Sequence, residues 1–419
     1  MSGRGAGDRR GVRPASPGAA LPTTLALLLA ATLAVGCKST AATASDGGSA
    51  GDGPGAFADA PRADAERIDG ASLDASGPDA QGIDASGTDA QGIDAPVSVD
   101  AALDAPTGPD LWKGIYDEVD PTHLGQLVRE MSGDVPVTVN GVTYAITERF
   151  SDAGRQRFRD YWTQSMTNLG LQVNVLTYQA AGHPRPGTNL EAVLPGPTAD
   201  SFVVIVHYDS IGPPGHETTN PGADDDMTGM AIELETARIL VAHQAQLGYT
   251  VRFVASDEEE LGGLAGARSY ATYIRALATT NGFAIVSAVD DEQTGWNCRA
   301  KNQCARPGTL AFDIFSCGSS TTHSFNFKAL GDQFASVVHA YSSLRVVRAC
   351  MGENSDHFAM WEIGVPTLVF SEDDPFDNPN FDQEGGDTVD KLDLDYHANI
   401  ARAAIAFQAG QAGIPHFGM

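Results

Sequence analysis

Three stretches of this 419-residue chain place metal-ligating side chains directly after apolar runs or at a helix start. The first is Phe202-Val203-Val204-Ile205-Val206 followed by His207-Tyr208-Asp209. A β-branched run of that kind reads as a strand buried on both faces, and its carboxyl end is where open α/β sheets bind ligands. His207 stands there as a candidate metal ligand, and Asp209 is placed to hold its far imidazole nitrogen or the neighbouring loop. The second stretch, Gly222-Ala223-Asp224-Asp225-Asp226-Met227-Thr228-Gly229, runs into helical apolar spacing from Met230 to Leu240. Capping and the helix dipole account for one or two acids at a helix start, whereas three adjacent carboxylates repel one another unless a cation neutralises them. The third is a second apolar strand, Val251–Ala255, followed by Ser256-Asp257-Glu258-Glu259-Glu260-Leu261-Gly262-Gly263. There, one carboxylate can ligate a metal while its neighbour, held off the metal, takes a proton from water.

Each feature alone has a plainer explanation: a histidine at a strand end is commonly a hydrogen-bonded core residue, and an acidic run a solvated loop. Solvation does not explain two acidic clusters after buried strands together with a histidine at the same position on a neighbouring strand. The combination resembles the co-catalytic zinc aminopeptidases, the family of secreted bacterial leucyl aminopeptidases, to which glutamate carboxypeptidase and glutaminyl cyclase are related. The shared pattern reads His207-Tyr208-Asp209, Gly222 to Gly229, and Glu259-Glu260-Leu261-Gly262-Gly263-Leu264-Ala265-Gly266, the last with one extra glycine. The resemblance extends from about Leu111 to the C-terminus.

What the resemblance implies is specific. The fold is α/β, a mixed and mostly parallel sheet flanked by helices on both faces, with the metals at the carboxyl edge of the strands. Two divalent ions are expected, zinc first, with Asp225 bridging them. His207 and Glu292 complete one ion and Glu260 and Asp382 the other, the assignment of terminal ligands being open. Glu259 is the expected general base, and Asp209 its partner in the catalytic group. Two positions depart from the family pattern. Where the family carries Asp-x-x-Gly, alignment on Gly295 selects Glu292, and Asp291 is the alternative if the loop shifts by one residue. Where the family shows Tyr-His, three residues and Asp-Thr, this chain has Phe381-Asp382-Gln383-Glu384-Gly385-Gly386-Asp387-Thr388, so Asp382 replaces the histidine if one residue is inserted. A carboxylate there favours harder ions such as manganese or calcium over zinc. His357, in Ser355-Asp356-His357, is the second candidate for that last ligand.

The elements that must position these residues follow from periodicity and turn chemistry. Leu111–Met131 reads as one amphipathic helix and Arg149–Leu169 as another, capped by Ser151-Asp152. Strands are expected at Leu171–Tyr178, Thr188–Leu194, Phe283–Val289 and Thr367–Phe370. In the last but one, Asp290 and the residues after it form the following loop. Among the cysteines, the short separation of Cys298 and Cys304 favours a local disulfide, leaving Cys317 to pair with Cys350.

Upstream of residue 111 the chain changes character. Residues 1–37 read as an export signal: Arg4, Arg9, Arg10 and Arg13 precede an apolar core from Leu21 to Val35, and Leu33-Ala34-Val35-Gly36-Cys37 is an imperfect lipobox. Lipid attachment at Cys37 is therefore expected, which makes the protein an outer-membrane or cell-surface lipoprotein, with periplasmic or secreted export as the alternative. Residues 38–110 carry a ten-residue repeat, Asp74–Ile83 and Asp84–Ile93, in a composition too poor in apolar side chains to offset the entropy of ordering. This is expected to be an acidic tether, and the domain occupies 111–419. The formal net charge of -28 and the absence of any basic stripe exclude nucleic acid as a partner. The expected function is an exported aminopeptidase acting on peptides. Two alternatives stay open: a binding relative with a degraded metal site, and a carboxypeptidase or glutaminyl cyclase of the same fold.

Overall fold

The computed structural model describes residues 110–416, except 184, 211–219, 262, 299–310, 320–323, 374, 376–377 and 381–385. The signal-like segment, Cys37, the repeat-bearing stretch up to residue 109, Cys304 and Asp382 lie outside the described residues. Asp110, counted with the tether from sequence, caps the first helix by accepting the Lys113 main-chain N–H at 3.0 Å.

In chain order the elements are α1 (Leu111–Glu118), α2 (Pro121–Met131), the hairpin β1 (Val137–Val139) and β2 (Val142–Tyr144), α3 (Asp152–Asn168), β3 (Gln172–Tyr178) and β4 (Gly187–Leu194). Then follow β5 (Ser201–His207), α4 (Met227–Ala242), β6 (Thr250–Ser256), α5 (Ala265–Asn281) and β7 (Ile285–Asp291). The last part holds β8 (Ala311–Phe315), the short pair β9 (Cys317–Ser319) and β10 (Ser324–Asn326), α6 (Lys328–Tyr341), β11 (Arg345–Ala349), α7 (His357–Glu362), β12 (Thr367–Glu372) and α8 (Leu394–Gln411). Eight strands form one sheet in the order β11-β8-β12-β7-β5-β6-β4-β3. The central four, β12, β7, β5 and β6, run parallel, and β4 and β8 flank them antiparallel. The expected mixed, mostly parallel sheet is what forms.

The apolar run of β5 is explained by its two covers. Phe202, Val204 and Val206 point into the larger core with α4 and α8, while Val203 and Ile205 point into the smaller one with α5 and α7. The chain leaves β5 through α4 to reach β6 on one side, then returns through α5 to reach β7 on the other side. Strand order thus reverses around β5, and such a switch leaves a crevice at the carboxyl ends where the two connections diverge.

Two expectations are corrected. Residues 111–131 form two helices rather than one, because Pro121 has no N–H to continue the first and instead opens the second, with Asp120 accepting the Thr122 N–H at 2.8 Å. β7 begins and ends two residues later than the apolar run indicated, so Asp290 and Asp291 are strand residues paired with Val369 and Phe370 of β12. The Cys317–Cys350 disulfide forms and ties β9 to the end of β11. Among the described residues no helix is long and apolar enough to cross a membrane.

α4 is covered on nearly every side and takes Glu233 into the core, where its Oε2 accepts the Trp162 indole N–H at 2.9 Å. Burial pushes this carboxyl up to about 8 from its ordinary 4.5, against the Trp162 hydrogen bond, which lowers it. The folded chain therefore holds a proton that the unfolded chain has released, and stability falls as pH rises from the ordinary carboxyl range through about 8. Glu233→Gln keeps the shape and the acceptor but removes the ionisation. Urea unfolding of both proteins from about pH 5 to about pH 9 is expected to show the variant gaining on wild type by on the order of 1–3 kcal/mol. A difference that does not change with pH would exclude a neutral Glu233 in the native core.

Candidate metal centre

β5 and β6 are parallel neighbours with His207 opposite Ser256, so the residues that follow both strands emerge side by side. Asp209, two residues past β5, accepts the main-chain N–H groups of Glu259 at 3.1 Å and Glu260 at 3.3 Å. One carboxylate thereby fixes the turn that presents both glutamates. It also lies 3.7 Å from His207 Nδ1, too far for a hydrogen bond but close enough to act on its charge. The segment before α4 is pinned in the same manner: Asp387 accepts the N–H groups of Asp224 at 2.8 Å and Asp225 at 2.9 Å. Asp226 caps α4 by accepting the Gly229 N–H at 3.0 Å. Gly229 has no room for a side chain: a Cβ there would stand 2.1 Å from the Asp291 carbonyl oxygen. α4 thus starts flush against the end of β7.

The result is two overlapping clusters. His207, Asp225 and Glu260 each offer a ligand atom within 4.8 Å of the others, and so do His207, Asp226 and Glu292. His207 Nε2 and Asp225 Oδ1 are 3.0 Å apart. Four of the five ligands expected from sequence therefore come together, and Asp382 lies outside the described residues. Asp226 joins them without having been singled out; its signal was its place as the third acid of the run. The alternatives are directed elsewhere. Strand alternation turns Asp291 to the α8 side, where it accepts from Gln408 at 2.6 Å, and turns Asp290 to the α7 side, where it accepts the His357 N–H at 2.8 Å. His357 belongs to neither cluster. Ser355 donates to Glu292 and Ser256 to Asp356, so the Ser355-Asp356-His357 segment supports the candidate ligands from behind.

Electrostatics argue that this arrangement suits a cation. Desolvation, then the charge of Glu292, push the Asp226 carboxyl well above its usual range. Burial and neighbouring acids do the same to Glu292 and Glu259, despite His207 nearby. Burial alone would lower the His207 imidazole, but Asp209, Asp225 and Glu259 outweigh it and raise it well above its ordinary value. These shifts mark a concentration of negative charge that a divalent ion would neutralise. Asp226 Oδ2 is buried with no hydrogen-bond partner, as a ligand atom is before its metal arrives. One imidazole and several carboxylates form a donor set for zinc or a harder divalent ion. The residues therefore fit the group.

Comparison with known proteins agrees. The model of "Peptidase family M28" matches residues 189–408, a span that begins in β4, ends in α8 and includes both clusters. The chain belongs to peptidase family M28. Among curated relatives, leucine aminopeptidase 1 of Coccidioides posadasii is 27% identical over 252 residues, which cover 58% of this chain and 61% of that protein. The chain thus spans about three fifths of the length of that curated relative. Among solved structures, the LapA aminopeptidase of Legionella pneumophila superposes with a TM-score of 0.53 at 18% identity, covering 72% of this chain and 74% of that one. The glutaminyl cyclase of Macrostomum lignano gives 0.55 at 20% identity, covering 73% and 93%. At these identities the two structures show a shared fold.

Glu292 and Asp291 are adjacent but face different partners, which makes them a discriminating pair. Glu292→Ala is expected to lower bound metal per chain by elemental analysis after dialysis, whereas Asp291→Asn keeps the wild-type content. The reverse result would place Asp291 in the cluster.

Proposed function

We propose that this protein is an aminopeptidase that uses two divalent ions, zinc first, held by His207, Asp225, Asp226, Glu260 and Glu292, with Asp382 as a further ligand. The observation that supports this reading most directly is the convergence of the two ligand clusters beside Glu259, whose main chain is held by Asp209. Family membership and a relative named leucine aminopeptidase support the removal of N-terminal residues from peptides. The bound metals would supply Lewis acidity for the scissile carbonyl and for the attacking water.

The chain's own residues do the rest. Glu259, desolvated among like charges, has a proton affinity raised well above that of a free carboxylate, which suits it to accept a proton from water and pass it to the leaving amine. Asp209 contributes by holding the Glu259 and Glu260 amides, so that the base and a ligand move as one unit.

Glu259→Gln fills the same volume without a basic oxygen. Turnover of aminoacyl anilides is expected to fall by ~10²- to 10⁴-fold with metal content unchanged. Activity within a few-fold of wild type would move the base elsewhere, with Glu258 next in line. Assaying acetylated anilides beside free ones tests exopeptidase selectivity: equal cleavage of both would sink the aminopeptidase reading.

A further inference from the structure

This inference rests on the metal-centre reading above and concerns a residue beneath it. Arg155 lies in the first turn of α3, and its side chain is 1% exposed. Its Nε donates to the Arg149 carbonyl at 3.0 Å, and Nη1 donates to Asp257 Oδ1 at 2.7 Å. The same guanidinium comes within 3.8 Å of Asp209 Oδ2 and 3.9 Å of Glu258 Oε1. Asp209 follows β5, whereas Asp257 and Glu258 follow β6, so one buried cation spans the ends of the two strands that carry the site.

Each of these carboxylates is also tied to main chain or to a polar neighbour. Asp209 holds the Glu259 and Glu260 amides. Asp257 Oδ2 accepts the Thr188 N–H of β4 at 3.0 Å, and its carbonyl accepts the Tyr178 hydroxyl at 3.0 Å. Glu258 adopts a left-handed φ of 63°, a conformation that a residue with a side chain keeps only when its surroundings hold it there. Those surroundings are Tyr178 OH at 3.2 Å and His183 Nδ1 at 3.0 Å from Oε2, with Arg155 on the other oxygen. The turn at Glu258 separates its side chain, facing Tyr178 and His183, from Glu260, which joins the metal cluster. Arg149, the other buried guanidinium nearby, is occupied by carbonyls, donating to Tyr208 at 2.6 Å, to Gly222 at 3.1 Å and to Pro221.

We propose that Arg155 is a positioning residue of the metal centre: by bridging Asp209 and Asp257 it sets the spacing between the His207 strand end and the Glu259–Glu260 turn. The planar guanidinium hydrogen-bonds Asp257 through Nη1 while Nη2 faces Asp209 at 3.8 Å as an ion pair, so its charge is spread between two carboxylates in a way that a lysine ammonium, a single point charge, does not reproduce. The bridge acts on geometry. An error of about 1 Å between reacting groups costs on the order of 10²-fold in rate.

Arg155→Lys tests this because it keeps the charge and removes the fork. Wild type, Arg155→Lys, Asp257→Asn and the double variant would be loaded with Co²⁺ as the probe. Five properties would be read: the visible absorption of the bound ion, Co²⁺ affinity by chelator competition, thermal midpoint, and kcat and KM on aminoacyl anilides. The expected result is a shifted Co²⁺ spectrum in both single variants and a kcat lowered by about 10- to 100-fold with KM changed less than about threefold. The double variant should be no worse than the more affected single one. An Arg155→Lys protein with wild-type spectrum and kcat overturns the proposal, and so do losses that multiply in the double variant. Should Arg155→Lys fail to fold, Asp257→Asn decides alone, since it releases the shortest arm of the fork and leaves Arg155 in place. If wild type binds Co²⁺ without cleaving anilides, the aminopeptidase reading fails and the spectra still judge Arg155. If wild type binds no Co²⁺, the metal centre and this inference fall together.

Discussion

The constraint on which this structure turns is the cost of burying like charges at one sheet edge. Asp209, Asp224, Asp225, Asp226, Asp257, Glu258, Asp290, Glu292, Asp356, Glu372 and Asp387 are all buried there. An isolated carboxylate inside a protein is costly, and each of these is tolerated because something of opposite sign or a donor faces it. Main-chain N–H groups do much of this work. Asp209 takes two, Asp387 takes two, and Asp224 accepts the Gly295 N–H at 2.7 Å. Glu372 accepts the Trp296 N–H at 2.6 Å. Those N–H groups belong to loops, so every neutralised acid also fixes a loop. Around His207, Asp225 with Glu260 and Asp226 with Glu292 are the acids that come within ligand distance.

The sheet makes this concentration of charge possible. Three parallel strands, β5, β6 and β7, end at a common edge, and the reversal of connections around β5 keeps the helices from covering it. Strand alternation then sorts the acids of β7. Asp290 goes to the α7 face, Asp291 to the α8 face, and Glu292, one residue beyond the strand, turns toward His207. Had β7 ended at Val289, as the apolar run alone indicates, all three would have been loop residues with no reason to differ.

How far such an arrangement can be read from sequence depends on which physical signal carries it. The strand ends were readable because β5 and β6 carry mostly apolar, β-branched runs, and His207, Asp225 and Glu260 stand close to those runs in sequence. Choosing Glu292 over Asp291 rested on the spacing to Gly295. Asp226 was passed over because its role depends on how the chain bends between Asp225 and α4, which no periodicity encodes. Arg155 was invisible, and Asp387 was seen only as part of the Asp-Thr pair with no role attached, for a related reason. Each is about 50 residues or more from the groups it serves, each looks like an ordinary charge on a helix or loop, and only the folded chain brings it to a strand end. The break between α1 and α2 could have been found, since Pro121 preceded by a capping Asp120 is a recognisable helix start.

Gly229 shows that the geometry of the centre is partly set by missing atoms. The first turn of α4 and the end of β7 approach so closely that a methyl group at this position would overlap the Asp291 carbonyl and crowd the Asp226 carboxylate at 2.5 Å. The separation between the acids at the start of α4 and Glu292 beyond β7 is therefore a contact distance between backbones, which does not depend on side-chain rotamers. Such a ruler cannot be adjusted by repacking neighbours, because nothing movable lies in the gap. The interval across which the acids of the candidate centre face one another is thus locked to a residue that contributes no side chain.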